Sequence, residues 1–403
     1  MSEKITIIGI NYYPEDSAIG LYTTQKAEYL VKKGFDVTVI TGFPYYPQWE
    51  IWADYKSNPY LFKETINGVK ILRSKQYVPK SPTFPKRILH LISFTFGNSI
   101  NLFKISKPDI VISIVPFTTS VLLGWFLKLR YKSKLWVHIQ DFEFDAAIDS
   151  GLLEGNKKSI IKGLLWIEKK LLSKADVIST ISYGMINKLK QKTNVKSYYL
   201  PNWIDVSLFN IDINKKHPYL ESNKFKILYS GNIGAKQDWN FFFNFINELK
   251  SVKDIEVIVV GEGAEKENVL NYFKPFNFVK HYNLVPFEEL PLLLSSADLH
   301  ILFQKADVID TVMPSKLLGM MASGKPSIVT GNMKSEVETV LKNSNGGYYF
   351  DGSSVKEITN HINKLIKNKE LREELGRNAK KYVNEKFSQN EVLDKFQNEL
   401  LKI

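Results

Sequence analysis

The sequence predicts an α/β protein built from two Rossmann-like, doubly wound domains that face a central cleft. Three observations lead there. Short, nearly unbroken apolar runs alternate with helical patterns along the 403 residues, and such runs suit strands buried on both faces of a parallel sheet. The alternation pauses in one polar, proline-containing stretch near 205–222 and then starts again. Turn glycines follow directly on several runs, where open parallel sheets bind their ligands.

The first series of strands is "KITIIGI" (4–10), "DVTVIT" (36–41), "VKILRS" (69–74), "DIVISIV" (109–115), "KLWVHIQ" (134–140), "DVISTIS" (176–182) and "KSYYLP" (196–201). The second is "FKILYSG" (225–231), "IEVIVVG" (255–261), "FVKHYNLV" (278–285), "LHILF" (299–303) and "PSIVT" (326–330). Helical patterns fill the gaps, among them 160–173, 238–250, 287–296, 315–323 and a long run over 355–398. The expected division is a first domain over 1–205, a second over 206–385, and a final helix, 386–403, crossing back to the first.

Composition narrows the function classes. The chain holds no cysteine, which excludes disulfides and thiolate metal sites. It starts "MSEKITIIGI", a strand pattern with no signal peptide, so a cytoplasmic location is expected. The net charge of +12 is uneven: residues 1–205 carry 28 Lys and Arg against 17 Asp and Glu, and the remainder 26 against 25. A basic first half points to an anionic partner there. The apolar stretches "ILHLISFTFGNSINLF" (88–103) and "VLLGWFLKL" (121–129) are too short or too interrupted to span a bilayer, which takes about 20 apolar residues. Basic residues flank both, which suits helices lying on an anionic leaflet or, alternatively, helices buried against the sheet.

The loops after the strands carry the candidate chemistry. Gly20 follows the first strand and precedes a helix expected to begin near Tyr22, so it lets amides approach an anion. In "YSGNIGAKQDW", Gly231 and Gly234 bracket Asn232, with Lys236 and Gln237 beyond, a plausible diphosphate cradle. "VVGEGAEKENV" adds Gly261, Glu262 and Gly263, a tight turn with one carboxylate. In "DTVMPSKLLGMMASGKPSIV" (310–329), Ser315 caps a helix and Lys316 stands in its first turn, where the helix dipole disfavours a cation. A bound anion would reverse that sign; the alternative is a solvated lysine. At the end of "KLWVHIQ" stand His138, then Asp141, Glu143 and Asp145. A group there could accept a proton or orient a hydroxyl, with Asp141 preferred because a strand histidine also suits a purely structural role. No metal-ligand spacing and no DxD motif occurs.

These segments resemble glycosyltransferases of family 4, which have the GT-B fold, along essentially the whole chain and in order. "NYYPEDSAIGLYTTQKAEYL" is similar to the family's opening loop and helix, and "YYLPNWID" to its interdomain segment. "YSGNIGAKQ", "VVGEGAEKENV", "NLVPFEELPLLLSSADLHIL" and "MPSKLLGMMASGKPSIV" resemble successive donor-domain blocks. "PYYP", "GNIGAKQ" and "MPSK" resemble the colanic-acid and O-antigen subgroup, some of whose members transfer N-acetyl-L-fucosamine.

The resemblance implies a retaining, metal-independent enzyme with no cofactor, which takes a UDP-sugar as co-substrate and releases UDP. Gly20, Gly231, Asn232, Lys236 and Gln237 would then lie about the donor phosphates, Val285 would touch the base, and Ser315 and Lys316 would hold the diphosphate. Asp141 would lie near sugar and acceptor, with His138 two residues from where many members carry a histidine. Domain closure would align the acceptor hydroxyl. The implied acceptor is a saccharide on a polyprenyl diphosphate, met at the inner face of the cytoplasmic membrane through the basic half, with no nucleic acid involved. Two departures stand out. The family's usual glutamate pair aligns with Thr311 and Gly319, and its usual lysine with Gln237, next to Lys236. The competing readings are a nucleotide-sugar 2-epimerase of the same architecture, an inactive, membrane-associated nucleotide-sugar binder and, from the basic charge alone, a nucleic-acid-binding protein, for which no recognition module is seen in the sequence.

Overall fold

The computed structural model describes residues 2–16, 18–116, 118–142, 158–212, 214–235, 237–306, 315–352 and 354–403. It divides into two compact units, Met1–Leu200 with Leu393–Ile403, and Pro201–Val392.

The sheet of unit 1 is formed by β1 (Lys4–Ile8), β2 (Asp36–Gly42), β3 (Leu61–Ile66), β4 (Val69–Ser74), β5 (Ile110–Val115), β6 (Lys134–Ile139), β7 (Val177–Thr180) and β8 (Lys196–Tyr199). Its order is β3-β4-β2-β1-β5-β6-β7-β8. The seven expected strands are present and pair in parallel, for example Ile5 with Val37 and Ile110. β3 is an addition: it runs antiparallel to β4 at the sheet edge, with Ile66 opposite Val69. Asn67 and Gly68 between them take φ of 50° and 81°, the left-handed pair that a tight hairpin turn requires. Helices α1 (Ala18–Lys32), α2 (Ala53–Lys56), α3 (Phe84–Asn101), α4 (Thr119–Tyr131), α5 (Lys158–Leu172) and α6 (Tyr183–Lys192) connect the strands. Gly20 therefore lies inside the first turn of α1 rather than before it.

Unit 2 holds a six-stranded parallel sheet ordered β11-β10-β9-β12-β13-β14. Its strands are β9 (Phe225–Ser230), β10 (Ile255–Val260), β11 (Val279–Tyr282), β12 (Leu299–Phe303), β13 (Ser327–Thr330) and β14 (Gly347–Phe350). Its helices are α7 (Trp239–Glu248), α8 (Lys266–Phe273), α9 (Leu290–Ser295), α10 (Ser315–Ala322), α11 (Glu336–Ser344), α12 (Val355–Lys367) and α13 (Lys369–Lys386). The side chains of β9, β10 and β12 are almost wholly buried, which is why they read as unbroken apolar runs. Phe242 of α7 stacks on Phe303 of β12 with ring centroids 4.2 Å apart.

The long helical pattern over 355–398 is three helices, not one. Asn368 leaves the helical region at φ −120° and accepts a hydrogen bond from the Leu371 amide, capping α13. The chain breaks again at Phe387–Ser388, where the Phe387 carbonyl accepts from the Ile204 amide at 2.9 Å and Gln389 N donates to Ile204 O. The last helix, α14 (Gln389–Leu400), gives its residues from Leu393 onward to unit 1. There Asp394 pairs with Lys33 at 2.7 Å and bonds the Tyr29 hydroxyl. The Phe396 ring meets the indole of Trp136 edge-on at 5.2 Å. Among the described residues, no helix is long and apolar enough to cross a membrane.

His90, His138 and His300 are buried in these cores, and burial holds all three neutral. His90 is pushed down to about 4, His300 to about 3, and His138 well below the usual value, the last also by the nearby Lys26 ammonium. Unfolded, each takes up a proton near pH 6.5, so acid favours the unfolded chain. Stability is therefore expected to fall as pH drops below about 6.5, by up to about 1.4 kcal/mol per pH unit for each histidine until its folded pKa is reached. Urea midpoints measured at pH 7.5 and pH 5 check this; equal midpoints would contradict it.

Candidate functional site

The three glycine-marked segments of unit 2 meet at the carboxyl ends of β10, β9 and β12, which are neighbours in the sheet. Backbone contacts lock two of them. Gly231 N donates to Val260 O at 2.8 Å, Ile233 N to Glu262 O at 2.7 Å, and Glu265 N to Ile233 O at 3.0 Å. A side chain at Gly261 would overlap the carbonyl of Gly231, and one at Gly263, at φ +155°, would stand 2.6 Å from Asn232 Oδ1. These glycines are there because two backbones run in direct contact.

Lys316 belongs to the same cluster. Its Nζ lies 5.0 Å from the centre of the Tyr229 ring and donates to the Tyr229 hydroxyl at 3.3 Å. That hydroxyl donates in turn to the Asn232 carbonyl at 2.6 Å. A Cβ built on Gly231, at φ +131°, would come within 2.5 Å of the lysine nitrogen, so the ammonium passes over the bare glycine. Burial alone pushes Lys316 down to about 8. Among the described residues no carboxylate is within ion-pair distance of it. A largely buried cation that has, among the described residues, a neutral ring and hydroxyl for company carries a desolvation cost that an anionic ligand would offset.

The other predicted residues are placed as follows. The side chain of Gln237 accepts from Gly234 N at 3.2 Å and is buried, so it braces its own loop. Trp239 Nε1 donates to Gly234 O at 2.9 Å on the same loop. Glu262 pairs with Lys266 at 2.6 Å and faces solvent. Val285, half-buried, packs on the core of unit 2. Ser315 opens α10. Lys236, Thr311 and the side chain of Ser315 lie outside the described residues, as do Glu143 and Asp145. At Gly319 a Cβ would stand 3.1 Å from Leu294 Cδ1, so any side chain there is tight against α9 unless that leucine shifts.

Unit 1 holds the remaining candidates. The Gly20 backbone closes on Glu15, where a Cβ would stand 2.6 Å from the Glu15 carbonyl. The Glu15 side chain is buried and accepts from the amides of Tyr45 and Tyr46, at 2.7 and 2.8 Å, and from Asn11 Nδ2. It thereby ties the loop after β1 to the loop after β2. Burial raises its carboxyl above the ordinary value, and these donors pull it back. His138 is buried at the end of β6, its Nδ1 2.8 Å from Ser179 Oγ and its Nε2 3.0 Å from the Gln140 amide. Ser179 Oγ also accepts from Trp136 Nε1 at 2.7 Å. With Gln140 donating to Nε2, the imidazole carries its proton on Nδ1. Asp141, two residues beyond the strand end, is exposed.

Tyr229, Glu15, Ser179 and the fully buried Lys26, which burial pushes down to about 7, are neighbours of the candidate residues that sequence reasoning did not single out. Only the Glu15 position carried a signal, a carboxylate five residues before Gly20 in a strand-to-helix loop.

Comparison with known proteins adds identity to this geometry. A family model described as glycosyl transferases group 1 matches residues 210–382, and one described as a glycosyl transferase 4-like domain matches 17–203. A protein of Escherichia coli (strain K12) named as a colanic acid biosynthesis glycosyl transferase, WcaI, is 34% identical over 352 residues, covering 83% of this chain and 84% of that protein. Among solved structures, sucrose-phosphate synthase from Thermosynechococcus elongatus aligns with a TM-score of 0.71 at 14% identity, over 99% of this chain and 98% of that one. The Anabaena protein HepE in complex with UDP aligns at 0.69 and 12% identity, over the full length of both.

Proposed function

Because the chain belongs to the group 1 glycosyltransferases, with a glycosyltransferase 4-like first half and the GT-B fold, we propose that it moves a sugar from a UDP-sugar to a lipid-linked saccharide in the making of a bacterial surface polysaccharide. The observation that carries this reading is the buried Lys316 ammonium lying over Gly231 without a carboxylate partner among the described residues. HepE, which shares the fold, is a protein found with UDP. WcaI is named for colanic acid biosynthesis.

In the proposed reaction the acceptor hydroxyl oxygen forms the new bond to the anomeric carbon, and the bond from that carbon to the diphosphate oxygen breaks. The electron pair leaves with UDP, and the hydroxyl proton passes to the departing phosphate oxygen. The new bond forms on the face the leaving group occupied, so configuration is retained. Lys316 and the first amides of α10 face the charge that develops on the diphosphate, the term on which such catalysis depends most. This supply of positive charge by the protein supports a metal-independent reaction. N-acetyl-L-fucosamine is the proposed sugar, from the resemblance of "PYYP", "GNIGAKQ" and "MPSK" to the subgroup that includes its transferases. The acceptor is proposed to be carried on a polyprenyl diphosphate at the inner face of the cytoplasmic membrane, to suit the excess of basic residues in the first half.

A panel of nucleotide sugars offered with membranes containing polyprenyl-diphosphate saccharides, read by mass spectrometry, tests the reading. The expected result is a mass increase of one sugar on the lipid and UDP release that depends on the acceptor. Conversion of the nucleotide sugar without any acceptor would make the protein an epimerase. Equal thermal stabilisation by UDP, GDP and ADP would remove the proposed donor.

A further inference from the structure

Helix α3 carries apolar side chains on both its inner and its outer face. A helix covering a sheet ordinarily buries an apolar stripe and exposes a polar one. Here the buried side of α3 carries His90, Asn98 and Asn101 beside Leu91 and Phe94. Its outer side presents Leu89, Ile92, Phe96 and Ile100, and Phe103 follows. Those five stand three or four residues apart, a single helical stripe. Phe96 is 71% exposed and Phe103 61%. The two buried amides bond within the helix: Asn101 donates to Asn98 Oδ1 at 3.1 Å and Asn98 to Phe94 O at 3.2 Å. Packing on the sheet thus accounts for the inner face and leaves the apolar outer stripe unexplained.

The stripe continues onto α4, which packs beside α3. Leu122, Phe126 and Leu129 point outward there, and the rings of Phe103 and Phe126 lie 5.7 Å apart. Along the two helices and their flanks the charge is nearly all of one sign. Between residues 84 and 136 there are eight Lys and Arg and a single acid, Asp109, whose carboxylate already accepts from the Lys4 amide. The Arg130 guanidinium sits 4.8 Å over the Phe103 ring, joining cation to apolar surface.

We propose that the outer face of α3 and α4 is a docking surface for an anionic lipid bilayer. The phenylalanine and aliphatic side chains enter the boundary between headgroups and acyl chains, while Lys104, Arg130 and Lys132 meet lipid phosphates. Apolar aromatics beside cations, with the nearby acids Asp109 and Asp176 already engaged by the Lys4 amide and by Lys128, match what an in-plane helix needs at such a surface. The surface deepens the proposed reading by naming the face that would meet the acceptor's membrane, yet docking itself needs neither donor nor acceptor.

Flotation of the full chain with vesicles tests it. Binding to phosphatidylglycerol–phosphatidylcholine vesicles, weakened by added salt, is expected, with none to phosphatidylcholine alone. Phe96→Ser/Phe103→Ser/Leu129→Ser should bind at least about tenfold more weakly, and Lys104→Glu/Arg130→Glu/Lys132→Glu should lose binding at low salt. Both variants should keep the wild-type thermal shift with UDP, which reports the donor site separately and confirms folding. Wild-type binding no better to anionic than to neutral vesicles overturns the proposal, as does unchanged binding by both variants. A wild-type dimer that the Ser variant turns into a monomer, without vesicle binding by either, assigns the face to a second copy instead. RNA retention in place of vesicle binding likewise overturns it.

Discussion

Replacing Lys316 by methionine is expected to remove most of the transfer activity while making the ligand-free protein more stable. Methionine keeps the length of the stem over the Tyr229 ring and drops the charge. If the ammonium faces the departing diphosphate, kcat should fall by roughly two to three powers of ten. The UDP-induced rise in melting temperature should also disappear. Stability should move the other way, because burial has pushed the folded pKa from the usual lysine range to about 8. The folded state pays to keep this group protonated, so stability rises as pH climbs from about 8 toward the unfolded value near 10.4. Methionine carries no such penalty at any pH. The same shift gives the donor a pH dependence: an anion binds the protonated lysine, so affinity for UDP should decline above about pH 8. Calorimetric titrations at pH 7 and 9, with melting curves of both proteins, check all three expectations. A methionine variant with undiminished kcat would remove Lys316 from the reaction.

Gly231→Ala is expected to damage the same site from the opposite side. At φ +131° alanine is strained, on the order of 1–3 kcal/mol. Its methyl group would also come within 2.5 Å of Lys316 Nζ. The lysine is the more flexible partner and would give way, leaving its place over the Tyr229 ring. The variant should therefore lose activity beyond its loss of stability, through weaker donor binding and a lower kcat together. The double variant Gly231→Ala/Lys316→Met sorts the causes. If displacement of the ammonium is the main injury, alanine should add little once the charge is gone, and the two losses in kcat/KM should be far from additive. Additive losses would mean that backbone strain acts alone.

How much of this could be read in the amino acids depends on the range of the interaction. The parallel strands were legible because residues such as Ile5, Val39 and Val257 are buried on a sheet covered on both sides. β3 was not: "LFKETI" is a half-exposed edge strand, although the Asn67-Gly68 pair behind it is a strong hairpin signal. The glycine loops were visible because each follows its strand directly. What Lys316 touches was hidden, since its partner Tyr229 is 87 positions earlier. β9 is buried from Phe225 to Tyr229, so no alternation marks the side on which Tyr229 lies. His138 gave the same difficulty. Its partner Ser179 is 41 residues away, and nothing local tells a strand histidine sealed in a core from one open to a ligand. Gly319 stood out only as a departure from the expected glutamate, and its close neighbour, Leu294, is on another helix.

The return of residues 393–403 to unit 1 sets an order on the making of the protein. Trp136, buried in the sheet, has Phe396 against it, and the Lys26 ammonium lies 5.3 Å from the same Phe396 ring. A ribosome that has completed all eight strands of the first sheet has still to synthesise Pro201–Val392 before that ring emerges. Until then the first unit waits with an open apolar seam beside a buried lysine, while the second, which is continuous in sequence, has every residue it needs. Assembly on the ribosome is thus interleaved: the unit begun before the other is sealed by helical turns made only after the whole of its neighbour.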